Sequence, residues 1–286
     1  MNASRIRVAA ICAGCVLLVN GTLAAQSFRT VTAARLTGDG ESLRVNVEFA
    51  AGVLRLMPGD SRTLYRGEIY YNEEKYRPVT RYRSRQHSLT FGLKSRSGDI
   101  RVRKIKSEQR LDLALAPQVP TRLTINIGAA EAHVELGDLS ITDATIKSGA
   151  AKTTVGFDRP NRTECSRLEI SAGAAEFRAA HLGNARCKHV MFDGGVGDVT
   201  LDFTGVDLPR NMEAQVKLGL GQLTLRLPEN LGVSIEMNRF LASFDDSGFD
   251  KRGSDYVSHN YDAALSKLHI SIKAVLGDID VEWVGR

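Results

Sequence analysis

Apolar side chains recur along this chain in short alternating runs, and seven of the runs fall into one register: VEFAAGVLRL, TINIGAAEAHV, TIKSGAAKTTV, LEISAGAAEFRA, MFDGGVGDVTL, QVKLGLGQLTL and ISIKAVLGDIDV. Ala50, Gly128, Gly149, Gly173, Gly195, Gly219 and Val275 mark the shared reference position. Three residues earlier the side chain is always large and apolar: Val47, Ile125, Ile146, Ile170, Phe192, Val216 and Ile272. Two residues later it is always small, from Gly52 through Ala130, Ala151, Ala175, Gly197 and Gly221 to Gly277, and six residues later it is apolar again, from Leu56 to Val281. Alternation with period two on both sides of a small-residue break reads as a strand, a tight corner and a second strand.

Successive central references lie 21, 24, 22 and 24 residues apart (128, 149, 173, 195, 219). One strand-corner-strand unit per period of that length predicts an all-β chain, a single-chain β-solenoid built as a parallel β-helix-like stack of coils of ~21–24 residues. The glycines Gly52, Gly128, Gly149, Gly173, Gly195, Gly197, Gly219, Gly221 and Gly277 are then structural corners. A bulky side chain there would strike the next coil, and glycine accepts positive φ. The segment SRSGDIRVR around Gly98 reads as a degraded eighth copy.

The same register brings two cysteines together. CSRLEISAGAAEF and CKHVMFDGGVGDV align without a gap, so Cys165 and Cys187 fall at equivalent points of adjacent coils, where strands lie about 4.8 Å apart. A disulfide needs Cα atoms roughly 4.4–6.8 Å apart. The spacing therefore allows a bridge, while the Cβ direction leaves two small buried thiols as the alternative.

The other two cysteines sit in the N-terminal segment, and that segment changes the picture of the compartment. Arg5 and Arg7 precede VAAICAGCVLLV, and Thr22, Ala24 and Ala25 follow. Residues 1–25 read as a secretory signal peptide, too short to span a membrane as a helix. Cys15 after Ala13 and Gly14 raises a lipid anchor, but Cys12 stands where a lipobox has Leu and the apolar run continues past Cys15. Cleavage after Ala24 or Ala25 is the expectation, giving a periplasmic, cell-surface or secreted chain without a transmembrane helix, in which a disulfide is permitted. The formal charge of +5 falls to +3 once Arg5 and Arg7 are removed, too mild to call for nucleic acid.

The recurrent GAA, GVG and GLG corners, the segment LDLALAP and the ending SDYVSHNYDAALSKLHISIKAVLGDIDVEW resemble the toast-rack family, exported or membrane-attached bacterial proteins that include candidate adhesins and envelope-stress regulators. The resemblance covers most of the chain after residue 40. It implies a β-solenoid-like stack and a non-enzymatic role at the envelope, and carries over no catalytic residue. Members of the regulatory branch usually have membrane helices, and this sequence has none.

Two regions depart from the repeat, giving an organisation of signal peptide (1–25), basic β-hairpin-rich segment (26–117) and solenoid (118–286) with a loop insertion at about 239–262. Between Arg66 and Arg110 there are 13 Lys plus Arg against 5 Asp plus Glu. Arg66, Arg81, Tyr82, Arg83 and Arg85 are candidate contacts for an anionic glycan or lipid headgroup. The other reading is solvated side chains on exposed hairpins, and it is the one the alternation favours. In the late loop, Phe244, Phe249 and Tyr256 form either a contact surface or a cap over the open end of the stack.

Chemistry beyond binding finds little support. DGGVGD misses the calcium nonapeptide because Val199 stands where the acid belongs and Asp198 comes one residue early. Asp245, Asp246, Asp250 and Asp255 miss the EF-hand spacing. His133, His181 and His189 occupy three different places in the repeat, and no GxSxG occurs. Three residues past each reference, Glu131, Lys152, Glu176, Asp198, Gln222 and Asp278 read as a solvated charge ladder and, alternatively, as acids for sugar chemistry. No cofactor and no metal is expected. The sequence thus points to a non-enzymatic, exported, adhesin-like or partner-binding envelope protein, with an unknown envelope protein, an anionic glycan or a lipid headgroup as partner. The alternatives are a protein-interaction module in envelope-stress signalling and, third, a polysaccharide-acting β-helix enzyme.

Overall fold

The structure, a computed structural model, describes residues 27–38, 42–96, 108–174, 176–206 and 208–285. The signal segment, the copy around Gly98 and Ala175 lie outside these. The described residues form an all-β molecule of seventeen strands: β1 (Phe28–Leu36), β2 (Leu43–Pro58), β3 (Thr63–Asn72), β4 (Tyr76–Arg83), β5 (Ser88–Ser95), β6 (Arg110–Leu115), β7 (Thr121–Glu135), β8 (Ile141–Ser148), β9 (Lys152–Gly156), β10 (Cys165–Ala174), β11 (Phe177–Ala180), β12 (Cys187–Asp202), β13 (Asn211–Pro228), β14 (Leu231–Phe244), β15 (Phe249–Arg252), β16 (Asp255–Ser258) and β17 (Ser266–Val284).

The long strands turn at the corner, so each supplies two arms to two parallel ladders. On the first arm the order in space is β5, β2, β7, β8, β10, β12, β13, β17, β14. On the second it is β6, β2, β7, β9, β11, β12, β13, β17, β14. Nine levels result, numbered here one to nine from the β5/β6 end. The aligned rows of the sequence are rows of the sheet: Val47, Ile125, Ile146, Ile170, Phe192, Val216 and Ile272 are direct cross-strand partners, and all are buried. In the second arm Leu56, Val134, Val155, Ala179, Leu201 and Leu225 bury likewise. At about 25 cal/mol per Å² of apolar surface removed from water, these continuous interior rows are the main favourable term of the fold.

Three expectations are corrected. Chain order is not stack order: β2 lies inside β5/β6, and β17 lies between β13 and β14. The boundary at 118 does not separate two bodies either, because β2 pairs with β7 from Leu43 to Leu56 across both arms. Finally, most of 239–262 is not loop. β14 carries a further corner in register with β17, with Ala242 opposite Gly277, and β15 and β16 form an antiparallel hairpin behind it.

The glycine corners are enforced by backbone. A Cβ on Gly219 would come 2.5 Å from the carbonyl oxygen of Gly195, and one on Gly195 2.6 Å from that of Gly173. Gly221, at φ 140°, has the Gly197 carbonyl in the place a Cβ would occupy. At these glycines each corner thus rests its carbonyl on the next, and a Cβ would displace the neighbouring backbone. Cys165 and Cys187 are cross-strand partners on an interior row and form a disulfide, with Cα atoms 4.1 Å apart.

Antiparallel strands finish both ends: β4 on β5, and β3 on β6 with β1 on β3, at one; β16 on β14 with β15 on β16 at the other. Among the described residues no helix is long and apolar enough to cross a membrane.

Candidate functional site

Three surfaces remain after the interior is accounted for, and the first is the N-terminal end. Among the described residues β4 pairs only with β5, and no described strand takes its other edge. Arg81 and Arg83 project from it into solvent, Arg85 follows in the turn, and none of the three forms an ion pair among the described residues. After residue 117 most described arginines do, among them Arg122 with Asp143, Arg162 with Asp138, and Arg226 with both Asp202 and Glu282. Tyr82 is half-buried, packed on Tyr65 at 6.0 Å between centroids with the Arg35 guanidinium 4.3 Å over its ring. Arg66 is exposed on β3, in the second-arm layer between Ala34 and Ala114, apart from the β4 arginines in the ladder. The basic segment is therefore an edge of arginines rather than a pocket closed around one ligand.

The C-terminal aromatics are arranged for packing. Phe244 meets Tyr256 edge-on at 4.9 Å and Phe249 at 6.0 Å, Phe249 meets Trp283 at 5.2 Å, and Phe249 is buried. The Trp283 indole N–H donates to the Ser247 carbonyl, 3.1 Å away. Such a cluster closes the interior over level nine.

The third surface is the corner itself, which the sequence presented only as a structural necessity. From level one to level six it is an open trench of about 910 Å³, floored by Ala50, Gly128, Gly149, Gly173 and Gly195. Its first-arm wall is the row two residues before the corner: Glu48, Asn126, Lys147, Ser171 and Asp193. Glu48 forms an ion pair with Lys94, and that hydrogen bond, aided by Asn46, holds its carboxyl below the usual carboxylate range against partial burial. From level six to level nine the line becomes a ridge. Val196, Leu220, Leu276 and Leu241 are direct neighbours one residue past the corner, with Val275 and Phe240 before them, and all six are exposed. The signal was present in the alignment, where that position changes from Ala51, Ala129, Ala150 and Ala174 to Val196, Leu220 and Leu276.

The second-arm outer row carries partnered charge. Lys152 reaches Glu176 at 2.9 Å, His133 lies 3.1 Å from Glu131, and Gln222 donates to Asp280. Asp202 is fully buried, but Arg226 and Thr204 satisfy it. Burial raises the Glu135 carboxyl above its ordinary value, although it accepts backbone N–H bonds from Gly137 and Asp158. Among the described residues no group of three His, Cys, Asp or Glu is placed to hold a metal.

Residues 24–178 match the model for the N-terminal domain of toast_rack, and residues 180–281 match that for the C-terminal part of the cell wall-active antibiotics response protein LiaF. No curated protein matches the sequence. Solved structures of similar arrangement include a candidate cell adhesion protein of Clostridium sporogenes (16% identity, TM-score 0.45), with 90% of this chain and 100% of that one covered. A candidate adhesin of Bacteroides fragilis (13%, 0.35) is aligned over 90% and 99%, and one of Parabacteroides merdae (10%, 0.37) over 90% and 96%.

Proposed function

The chain belongs to the toast-rack family, and from that premise we propose that it is a non-enzymatic β-solenoid of the cell envelope that works by binding, docking on anionic glycan or lipid headgroups through the arginines of its end strand. The observation that supports this reading is the contrast in pairing. Arg81, Arg83 and Arg85 stand without an ion pair along and just after the end strand β4, while after residue 117 most described arginines are engaged by acids. Unpaired guanidiniums on one edge concentrate positive potential where phosphate and carboxylate groups are bound, and the attraction is screened by salt. The same arginines guard the edge against strand addition.

The test is sedimentation of the mature chain with vesicles of anionic glycolipid, and with acidic polysaccharide, at rising salt. Binding that weakens steadily with salt, and that falls in Arg81→Ala/Arg83→Ala, is the expected result. No binding to either material at low salt ends the reading.

The match of residues 180–281 to the LiaF C-terminal model supports a second reading, a protein-interaction module in envelope-stress signalling. In that case a pull-down from envelope extract recovers a membrane protein, and the β4 arginine variant still recovers it. The carboxylates of the outer row each have a structural partner or stand apart on a solvated ladder, which favours binding over sugar chemistry.

A further inference from the structure

We propose that the protein pairs with a second copy of itself along the corner, the two stacks running antiparallel about a two-fold axis that passes through level five. This goes beyond the docking of anions at β4 and does not rest on it.

Shape carries the first part of the inference. A two-fold at level five takes level six onto level four, seven onto three, and eight onto two. Val196, Leu220 and Leu276 of one copy then lie over Gly149, Gly128 and Ala50 of the other, where the floor has little or no side chain to displace. Ridge and trench occupy the same line at complementary heights, so one rotation fills both trenches. The six ridge side chains expose on the order of 500 Å² of apolar surface, at the upper end of what monomers leave in one patch. Covering ridge and trench in both copies, with their flanks, approaches the roughly 1,600 Å² of a stable interface.

Charge carries the second part. The row two residues before the corner reads, from level two to level eight, Glu48, Asn126, Lys147, Ser171, Asp193, Lys217, Lys273. Laid against its own reverse, this row sets Glu48 opposite Lys273 and Lys147 opposite Asp193, each twice by symmetry, with no like-charged match. Lys147, Asp193, Lys217 and Lys273 are exposed. On the other flank, Lys152 meets Asp198. The two copies of Glu176 meet at the axis, each already held by its own Lys152. A parallel pairing, with the two-fold along the stack, instead sets Lys147 against Lys152 and Asp193 against Asp198. Self-complementarity under one operation is what an isologous interface requires.

The test uses the mature chain with its disulfide intact. Sedimentation velocity from about 1 to about 100 μM should show a monomer–dimer equilibrium. Val196→Glu/Leu220→Glu, which changes only exposed side chains, should weaken association by roughly tenfold or more while leaving the thermal melt in place. Lys147→Glu and Asp193→Lys should each weaken it, and the double exchange should restore it. Ser171→Cys, on the axis, should be joined to its own copy by a short bismaleimide, whereas Lys217→Cys alone should not. A monomer throughout the concentration range overturns the proposal. So does a double exchange that fails to restore association, or Lys217→Cys cross-linking as readily as Ser171→Cys. Ridge variants that lose vesicle binding in a chain that is always monomeric overturn it in favour of a lipid surface. Arg81→Ala/Arg83→Ala should leave the association unchanged, which separates this outcome from failure of the anion-docking reading.

Discussion

The two ends of the stack solve one problem by different means. They are laid down in opposite order: level one (β5/β6) follows its neighbour β2 and precedes β7, whereas level nine (β14) precedes its neighbour β17. Both ends then fold antiparallel strands over the exposed edge. The N-terminal edge is blunted by charge, with Arg77, Arg81 and Arg83 on β4. The C-terminal one is blunted by bulk, through Phe244, Phe249, Tyr256 and Trp283. Either device stops a stack from adding foreign strands, but only the charged one leaves groups free to meet a ligand.

The sharpest way to break this comparison is at the corner glycines nearest each end. Gly277 at φ 138° faces the Gly221 carbonyl, and Gly52 at φ 122° faces that of Gln109. Gly277→Val and Gly52→Val should each cost more than about 4 kcal/mol, through backbone strain plus overlap, and abolish a cooperative melt by circular dichroism. If one were tolerated and the other not, the ends would not be built alike.

Next in size come the bulk cap and the bridge midway. Phe249→Ala should lower stability by about 3 kcal/mol in denaturant titration, whereas Arg81→Ala/Arg83→Ala should change it by less than about 0.5 kcal/mol. Equal effects would mean that the charged edge also packs. Replacing both Cys165 and Cys187 by Ala should cost about 3 kcal/mol for a 22-residue separation, and reductant should lower the melting temperature of the wild type alone.

Smaller effects separate the charged end by pH. The Glu48 carboxyl is lowered from 4.5 chiefly by Lys94, so the pair stabilises fully above that value and its contribution disappears as pH falls through the lowered one. Lys94→Met should therefore cost less than about 1 kcal/mol at pH 7, the pair being partly exposed, and nothing near pH 2. Glu135 has the opposite sign: its raised carboxyl is favoured protonated, and stability declines as pH rises through its titration. Both backbone bonds fall on Oε1, which glutamine retains. Glu135→Gln should be neutral or stabilising by a few tenths of a kcal/mol at pH 8, as read by urea midpoint.

The interior was legible because its rows repeat. Val47 to Ile272 and the small residues beyond each corner followed from alternation alone, and the register placed Cys165 beside Cys187. Spacing could not give the cysteine Cβ direction, which depends on their facing inward. Two levels were hidden for a definite reason: Lys94 and Phe240 stand at corners where the other copies have Gly, Ala or Val, and Asn238 and Arg239 interrupt the alternation of β14. Stack order was not legible, since a coil's choice of neighbour depends on which edge is open when it arrives. The corner surface was overlooked because its glycines have a sufficient structural reason. The change from alanine to Val196, Leu220 and Leu276 beside them was visible but unread.

The position of β17 bears on the order of events during synthesis. The nineteen residues of β17 follow β14 in the chain yet occupy an internal level, with β13 on one side and β14 on the other. Growth from the N-terminus can proceed coil by coil only as far as β13. β14 then has only the antiparallel β16 as a partner until β17 appears, so levels seven to nine close together, and a chain stopped before residue 266 holds an open edge.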